Sequence, residues 1–402
     1  MVLYSARYNS FYFGVSIMKL FFQAILHFLR EADIFLLIIS LVSAIFGHIL
    51  IASVVSGNPN LSVRILDVQT GAIVLGVALF IIFSYLDIHI IADKSRLLYI
   101  FSVLFISTLY FWGLGGGLDG AGSRAWLRFG EIGIQPAEIV KITFIIIFAK
   151  IITNYKERKT LNSVASLLKI LIAFLLLFAI ILYIAGDMGT SLVYVFMLLA
   201  MLFVGGVKLR WFALAGAAMI VITPFVMYYL LPEAYLMRLL VPFFPHLDGA
   251  QRLGFLWQPD LSVDAISSGR FFGQGLGNGR ITQSGIIPAQ HTDFIFSVAG
   301  EELGFIGCIV ILALLAAIII RCIYVGLESN NPLGMLVCVG IATKFIAQLF
   351  INIGMALGIM PVIGVTLPFF SYGGSSIVTC FAAMGIVSGI KMRPNPIRYR
   401  SF

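Results

Sequence analysis

Apolar residues in this chain come in long runs, not in the spaced stripe of a soluble helix or the alternation of a half-buried strand. Runs near 34–55, 68–86, 97–115, 136–153, 165–185, 188–206, 209–231, 303–324, 333–357 and 374–390 each approach the ~20 residues that cross a hydrocarbon core of about 30 Å. The pattern predicts an all-α integral membrane protein of about ten transmembrane helices, a single polytopic domain over 1–402. No alternating pattern repeats, which argues against a membrane β-barrel. The longest interruption, Pro232–Glu302, predicts a large extracytoplasmic loop between helices seven and eight. Residues 1–33 carry no small-residue cleavage site and read as a retained cytoplasmic segment, interfacial through Phe21, Phe22, Leu26 and Phe28. Residues 391–402 form a cytoplasmic tail.

Composition agrees: 60% of the 402 residues are hydrophobic and 11% charged, too few charges to cover a soluble surface. The net charge of +8 would suit nucleic acid, but its placement does not. Alternate loops on the N-terminal side hold 16 of the 26 basic and 6 of the 18 acidic residues; the opposite loops hold 7 and 11. Basic loops stay in the cytoplasm, which puts both termini inside and makes the charge topological, with no nucleic-acid partner. Lys141, Lys169, Lys344 and Glu138 are left at membrane depth. Cys308, Cys322, Cys338 and Cys380 lie in or beside apolar runs without metal-ligand spacing and read as packing residues.

Two outer segments are not lipid-facing helix. Gly113–Gln135 is glycine-rich and carries Arg124 and Arg128. Pro232–Glu302 carries Arg252, aromatic residues that can pack, among them Phe243, Phe244, Phe255, Trp257, Phe271 and Phe272, and the glycine run Gly269, Gly273, Gly275, Gly277 and Gly279. That run does not follow a strand, so a dinucleotide-binding fold is rejected. A flexible lid is the plainer reading of this loop.

Charge at membrane depth points to chemistry. Pro136 suits a first helical turn, and Glu138 and Lys141 at i, i+3 share a face. They read as a structural ion pair or, with Arg124 and Arg128 nearby, as a phosphate-holding site. Asp293, at the outer end of the eighth span, would have its pKa raised by desolvation, as a general base requires, with His291 close enough to tune it. The same His-Thr-Asp could equally be a helix cap. The stretch Met360–Ser376, with two prolines and Ser371-Tyr372-Gly373-Gly374-Ser375-Ser376, reads as a re-entrant element or as a tight turn between the last two helices.

These residues resemble the SEDS family (shape, elongation, division and sporulation; RodA, FtsW and SpoVE), which polymerises peptidoglycan glycan strands. The matching stretches are Gln135–Lys141, Asp187–Thr190, Pro288–Gly304, Asn352–Gly354 and Pro361–Ser376, in family order over roughly three hundred residues. The resemblance implies ten helices, lipid II as substrate, Asp293 as the essential loop aspartate, and Glu138 and Lys141 as the membrane pair. It also implies a class B penicillin-binding transpeptidase as partner, with other elongasome or divisome membrane proteins. Departures fall on the large loop: Ala289 stands where Glu is usual, Arg270 where Gly is, and the Tyr-Gln-x-x-Gln-Ser stretch before Gly269 is missing. Gly186 also replaces a proline. Gln290 and Pro361-Val362 look like the RodA branch, Gly275-Leu276-Gly277-Asn278 like FtsW, and the balance favours RodA.

Residues and resemblance together predict an inverting transfer with undecaprenyl pyrophosphate as leaving group. Asp293 is the base. Glu138, Lys141, Arg124, Arg128, Arg252, His291, Ser371, Tyr372 and Ser375 bind substrate, with or without a divalent cation (Mg2+ or Mn2+) and with no protein metal site. Two rivals remain: a lipid II flippase, which needs no base at the outer mouth, and a non-catalytic scaffold, which needs neither Asp293 nor Lys141.

Overall fold

A computed structural model describes residues 26–114, 124–130, 132–229 and 249–393. Its elements are α1 (Ile34–Gly57), α2 (Arg64–Tyr85), the short α3 (Ile88–Asp93), α4 (Ser95–Trp112), β1 (Leu127–Phe129), β2 (Ile132–Ile134), α5 (Pro136–Glu157), α6 (Val164–Ile180), α7 (Met188–Gly205), α8 (Leu209–Tyr229), α9 (Gly249–Gly269), α10 (Arg280–Ser284), α11 (Ile295–Glu328), α12 (Pro332–Ala356) and α13 (Gly374–Met392). Each expected span coincides with a helix. Eight of the described helices are long and apolar enough to cross a membrane, which makes this a multi-pass membrane protein. Helix α5, which carries Glu138, Lys141 and Lys150, and helix α8 fall outside that group. Phe21 and Phe22 lie outside the described residues; 26–31 is helical, with Phe28 buried.

Local chemistry sets the helix starts. The side chains of Asp33, Ser163, Asp187 and Asn331 each accept a hydrogen bond from a first-turn amide of the helix that follows. Pro136 and Pro332 occupy first-turn positions, where a missing N–H costs nothing. Helix α6 widens into a π-helical turn over Ile181–Ala185, and Gly186 ends it in the left-handed region at φ 62°. Gly186 stands where the family pattern has a proline, which could not adopt that angle.

Helices α12 and α13 form the centre: 67% and 83% of their most apolar windows are buried, against 22% for α2. Small residues permit this. A Cβ on Gly385 would lie 2.5 Å from the Phe80 carbonyl oxygen, so α13 and α2 approach backbone to backbone. The four cysteines are buried and unpaired in this core.

The outer segments differ from the expected loops. The first carries a hairpin, β1 against β2, with Arg128 opposite Gly133. The second holds a 21-residue helix, α9, and the short α10. Helix α11 begins at Ile295, eight residues before the span expected at 303, and bends at Gly304 (φ 67°). Hydropathy penalises Glu301 and Glu302, yet both are wholly buried inside this helix. Glu301 accepts from the backbone amides of Ile281 and Thr282 at 2.8 and 2.7 Å, and Glu302 from Ser53 Oγ and Gln283 Nε2. Their charge is dispersed into donors that only the fold assembles. Gly273 (φ 80°) packs against the Glu302 carbonyl, where a Cβ would sit 2.2 Å away.

Candidate active site

Asp293 is held by its backbone. The left-handed Ala289 (φ 52°) opens a tight turn in which the Asp293 amide donates to the Ala289 carbonyl at 2.9 Å. Three successive carbonyls are then gripped from other segments. The Tyr372 amide donates to His291 O at 2.8 Å, Ser371 Oγ to Thr292 O at 2.5 Å, and Asn352 Nδ2 to Asp293 O at 2.8 Å. The same Asn352 Nδ2 donates to Val365 O at 2.7 Å, joining α12, the aspartate turn and the connection 357–373. Gly364 (φ 70°) faces the carboxylate, and a Cβ there would lie 3.7 Å from Asp293 Oδ2. The connection is non-helical, its second half (365–373) is mostly buried against protein, and it holds Phe369 at φ 67°, a strained angle for an aromatic residue. Gln69, wholly buried on α2, contacts this connection through Ser371 O and the Gly373 amide.

Electrostatics follow from the packing. Burial is the largest cause raising the Asp293 pKa to about 6; the Asp187 charge adds to it and a Thr292 hydrogen bond opposes it. Burial lowers His291 to about 4, so its ring is neutral at pH 7 and stands 5.6 Å from the Tyr372 ring. Burial also raises Asp187 above the ordinary carboxylate range.

Asp187 links this mouth to helix α5. Its Oδ2 accepts from Gln135 Nε2 at 2.8 Å, its Oδ1 from the Thr190 amide at 2.8 Å, and the Gln135 amide donates to Ser375 Oγ at 3.2 Å. One turn along, Lys141 Nζ donates to Glu138 Oε1 at 2.5 Å, with both side chains buried. Glu138 Oε2 has no hydrogen-bond partner, whereas Tyr194 Oη caps the Ala137 carbonyl at 2.7 Å. The helical spacing makes the pair; helices α7, α12 and α13 bury it.

Of the residues singled out in the sequence, Asp293, His291, Ser371 and Tyr372 meet at one point. Ser375 accepts from the Gln135 amide just before α5, the helix that carries Glu138 and Lys141. Arg124 and Arg128 are exposed on the hairpin that leads into α5. Arg252 is in the first turns of α9, and its side chain lies outside the described residues. Gln69 was not among them, and Asn352, Asp187 and Gln135 stood only at the ends of family-like stretches, with no role given. Their signal was a polar side chain inside, or at the end of, an apolar run. Among the described residues no three His, Cys, Asp or Glu side chains converge as metal ligands. The chemistry available is a carboxylate base at the mouth and buried cations behind it.

Comparison with known proteins fits this geometry. The FtsW/RodA/SpoVE family model, described as cell cycle protein, matches residues 32–395. The chain is 31% identical over 382 residues to a probable peptidoglycan glycosyltransferase FtsW of Geobacter metallireducens, covering 94% of this chain and 99% of that one. It is 29% identical over 330 residues to the peptidoglycan glycosyltransferase MrdB of Escherichia coli K12, covering 82% and 86%. A solved structure on the coordination of polymerization and crosslinking by a peptidoglycan synthase complex matches at TM-score 0.74 and 25% identity, over 90% of this chain and 98% of that one.

Proposed function

This chain belongs to the FtsW/RodA/SpoVE family of cell cycle proteins, and from that premise we propose that it is a peptidoglycan glycosyltransferase that polymerises lipid II. The observation that carries the reading is Asp293: a carboxyl with pKa of about 6, fixed through three neighbouring carbonyls at the outer end of a membrane helix. A general base works best when its pKa lies near the operating pH.

The acceptor lipid II presents its sugar 4-hydroxyl to Asp293. As the carboxylate takes that proton, the oxygen attacks the anomeric carbon of the donor from the face opposite its diphosphate. The new C–O bond forms, the bond to the diphosphate breaks, and undecaprenyl pyrophosphate leaves with the electron pair. A single displacement inverts the donor linkage to β-1,4, without the second carboxylate a retaining enzyme needs. Lys141 offsets the charge growing on the leaving diphosphate, with Arg124, Arg128 and Arg252 at the outer approach. Glu138 orients Lys141. His291, neutral, and Tyr372 form one wall beside Asp293, while Ser371 and Ser375 hold the backbone and the α5 entrance. Asp187 already spends both oxygens on protein donors, so the described residues do not fit a dedicated metal site and no step passes through one.

All the long helices except α9 cross the bacterial cytoplasmic membrane, with 1–33 and 391–402 inside and 232–302, which holds α9, outside. A class B penicillin-binding transpeptidase is the partner; the likeness to a chain of a peptidoglycan synthase complex that coordinates polymerization and crosslinking supports this. The RodA-like Gln290 and Pro361-Val362 favour a role in elongation, which predicts rounded cells, not filaments, on depletion. The deciding experiment purifies the chain with its transpeptidase and incubates it with labelled lipid II. Glycan strands on a gel support the reading; lipid II moved across vesicles without polymer would make this a transporter.

A further inference from the structure

Helix α12 brings a second lysine to the buried ion pair. Lys344 is wholly buried, and its ammonium donates to Cys380 Sγ at 3.5 Å and lies 4.9 Å from the Phe345 ring. Neither is an anion, and a thiol is a weak acceptor. Among the described residues no carboxylate stands within ion-pair distance of it. Helix α12 packs on α5 and both pack on α13, which sets Lys344 and its Cys380 contact against the helix that carries Glu138 and Lys141. The cluster therefore holds two ammonium groups and one carboxylate. Glu138 gives Oε1 to Lys141 and leaves Oε2 unused.

The reaction poses a problem that this surplus solves. When Lys141 turns to a donor diphosphate, Glu138 would be left bare in a low-dielectric interior, and breaking a buried pair in that way is costly. We propose that Lys344 is the exchange partner of Glu138: it takes over the carboxylate as Lys141 leaves for the diphosphate. Lys344 is thus a positioning residue that acts through Glu138, and its four-carbon stem gives it the reach. The proposal deepens the glycosyltransferase reading and rests on it.

The test measures the affinity of the purified full-length chain for undecaprenyl diphosphate in detergent micelles, with inorganic pyrophosphate as the headgroup control. Lys344→Met leaves the Glu138–Lys141 pair intact, so it should fold while binding undecaprenyl diphosphate at least about tenfold more weakly. Lys344→Arg should stay within about threefold of wild type, because a cation is kept. Adding Glu138→Gln to Lys344→Met should restore binding, since Lys141 no longer abandons a carboxylate; a merely structural lysine would show no such rescue. KM for lipid II should follow the affinity, with kcat little changed.

Lys344→Met binding as tightly as wild type overturns the proposal. So does a Lys344→Met chain that fails to fold, which makes the lysine a structural cation. A double variant as weak as Lys344→Met means that Lys344 touches the diphosphate itself and exchanges nothing. A wild-type chain with the expected Lys344 dependence that makes no glycan strands breaks the glycosyltransferase reading alone. Strands made by a chain whose affinity ignores Lys344 break the exchange alone.

Discussion

The mouth around Asp293 and the Glu138–Lys141 cluster hold their charges by opposite means. At the mouth, Asp293 is set by backbone: three carbonyls are tied to Tyr372, Ser371 and Asn352, which come from a different helix and a distant connection. Its carboxylate takes a Thr292 hydrogen bond, yet burial still raises its pKa to about 6. At depth, Glu138 and Lys141 are set by side chains one turn apart on one helix, and their charges are spent largely on each other. The first arrangement presents a reactive group at fixed coordinates; the second stores charge that can be redistributed. A base needs position, whereas a diphosphate site needs cations that can change partners.

The largest expected effect falls at the mouth. Asp293→Asn keeps the turn and its clamps but removes the base, so lipid II polymerisation by the purified complex should fall by about 10²–10⁴-fold, with folding and partner binding unchanged. Normal strand synthesis by this variant would leave the mouth without a catalytic role. At depth, Glu138→Gln alone leaves Lys141 buried without its carboxylate, at a cost of ~3–5 kcal/mol in stability, read as lost protein level and a lowered melting temperature, whereas Lys141→Met costs less because Lys344 can take over Glu138. The double variant should recover protein level but not activity. Wild-type polymerisation by the double variant would reduce the pair to a bundle staple.

A smaller effect separates position from chemistry. Asn352→Ala deletes the donor shared by Asp293 O and Val365 O, a loss of ~1–3 kcal/mol that should lower kcat more than it raises KM. An unchanged kcat would mean that the mouth keeps its shape without this clamp. pH then reads the mouth directly. The base works as the carboxylate, so kcat/KM should rise through about pH 6 and level off above it, dropping about tenfold per unit below. In Lys141→Arg the same limb should stay in place, because the cluster at depth does not set it. A limb that moves with residue 141 would merge the two regions.

The last prediction changes no rate. Ser267 and Thr160 are exposed, and the native cysteines are buried. An impermeant thiol reagent on intact cells should label Ser267→Cys and not Thr160→Cys. The reverse pattern would put Asp293 on the wrong side of the membrane.

Much of this was legible in the chain. Each of the ten apolar runs shows in local hydropathy, because crossing a bilayer is a demand made on about twenty consecutive residues, whereas the 21-residue α9 lies outside those runs and does not. The Glu138–Lys141 pair shows for the same reason, since i, i+3 spacing on a helix is local geometry. Asp293 stood out as a carboxyl at a helix end, and its motif with Pro361–Ser376 carried the family resemblance. Other features depend on residues far apart in sequence. Helix α11 takes in Glu301 and Glu302 only because Ile281, Thr282, Ser53 and Gln283 arrive to solvate them. Asn352 reaches Asp293 across 59 positions, and Gln69 reaches Ser371 across 302. Lys344 comes to the helix of Glu138 from another helix altogether. Sequence by itself determined where the chain enters lipid and which charges it carries there, since solvation acts residue by residue along a helix. Only the tertiary structure decided which of those charges meet, because hydrogen bonds and ion pairs depend on distances that the packing of separate helices sets.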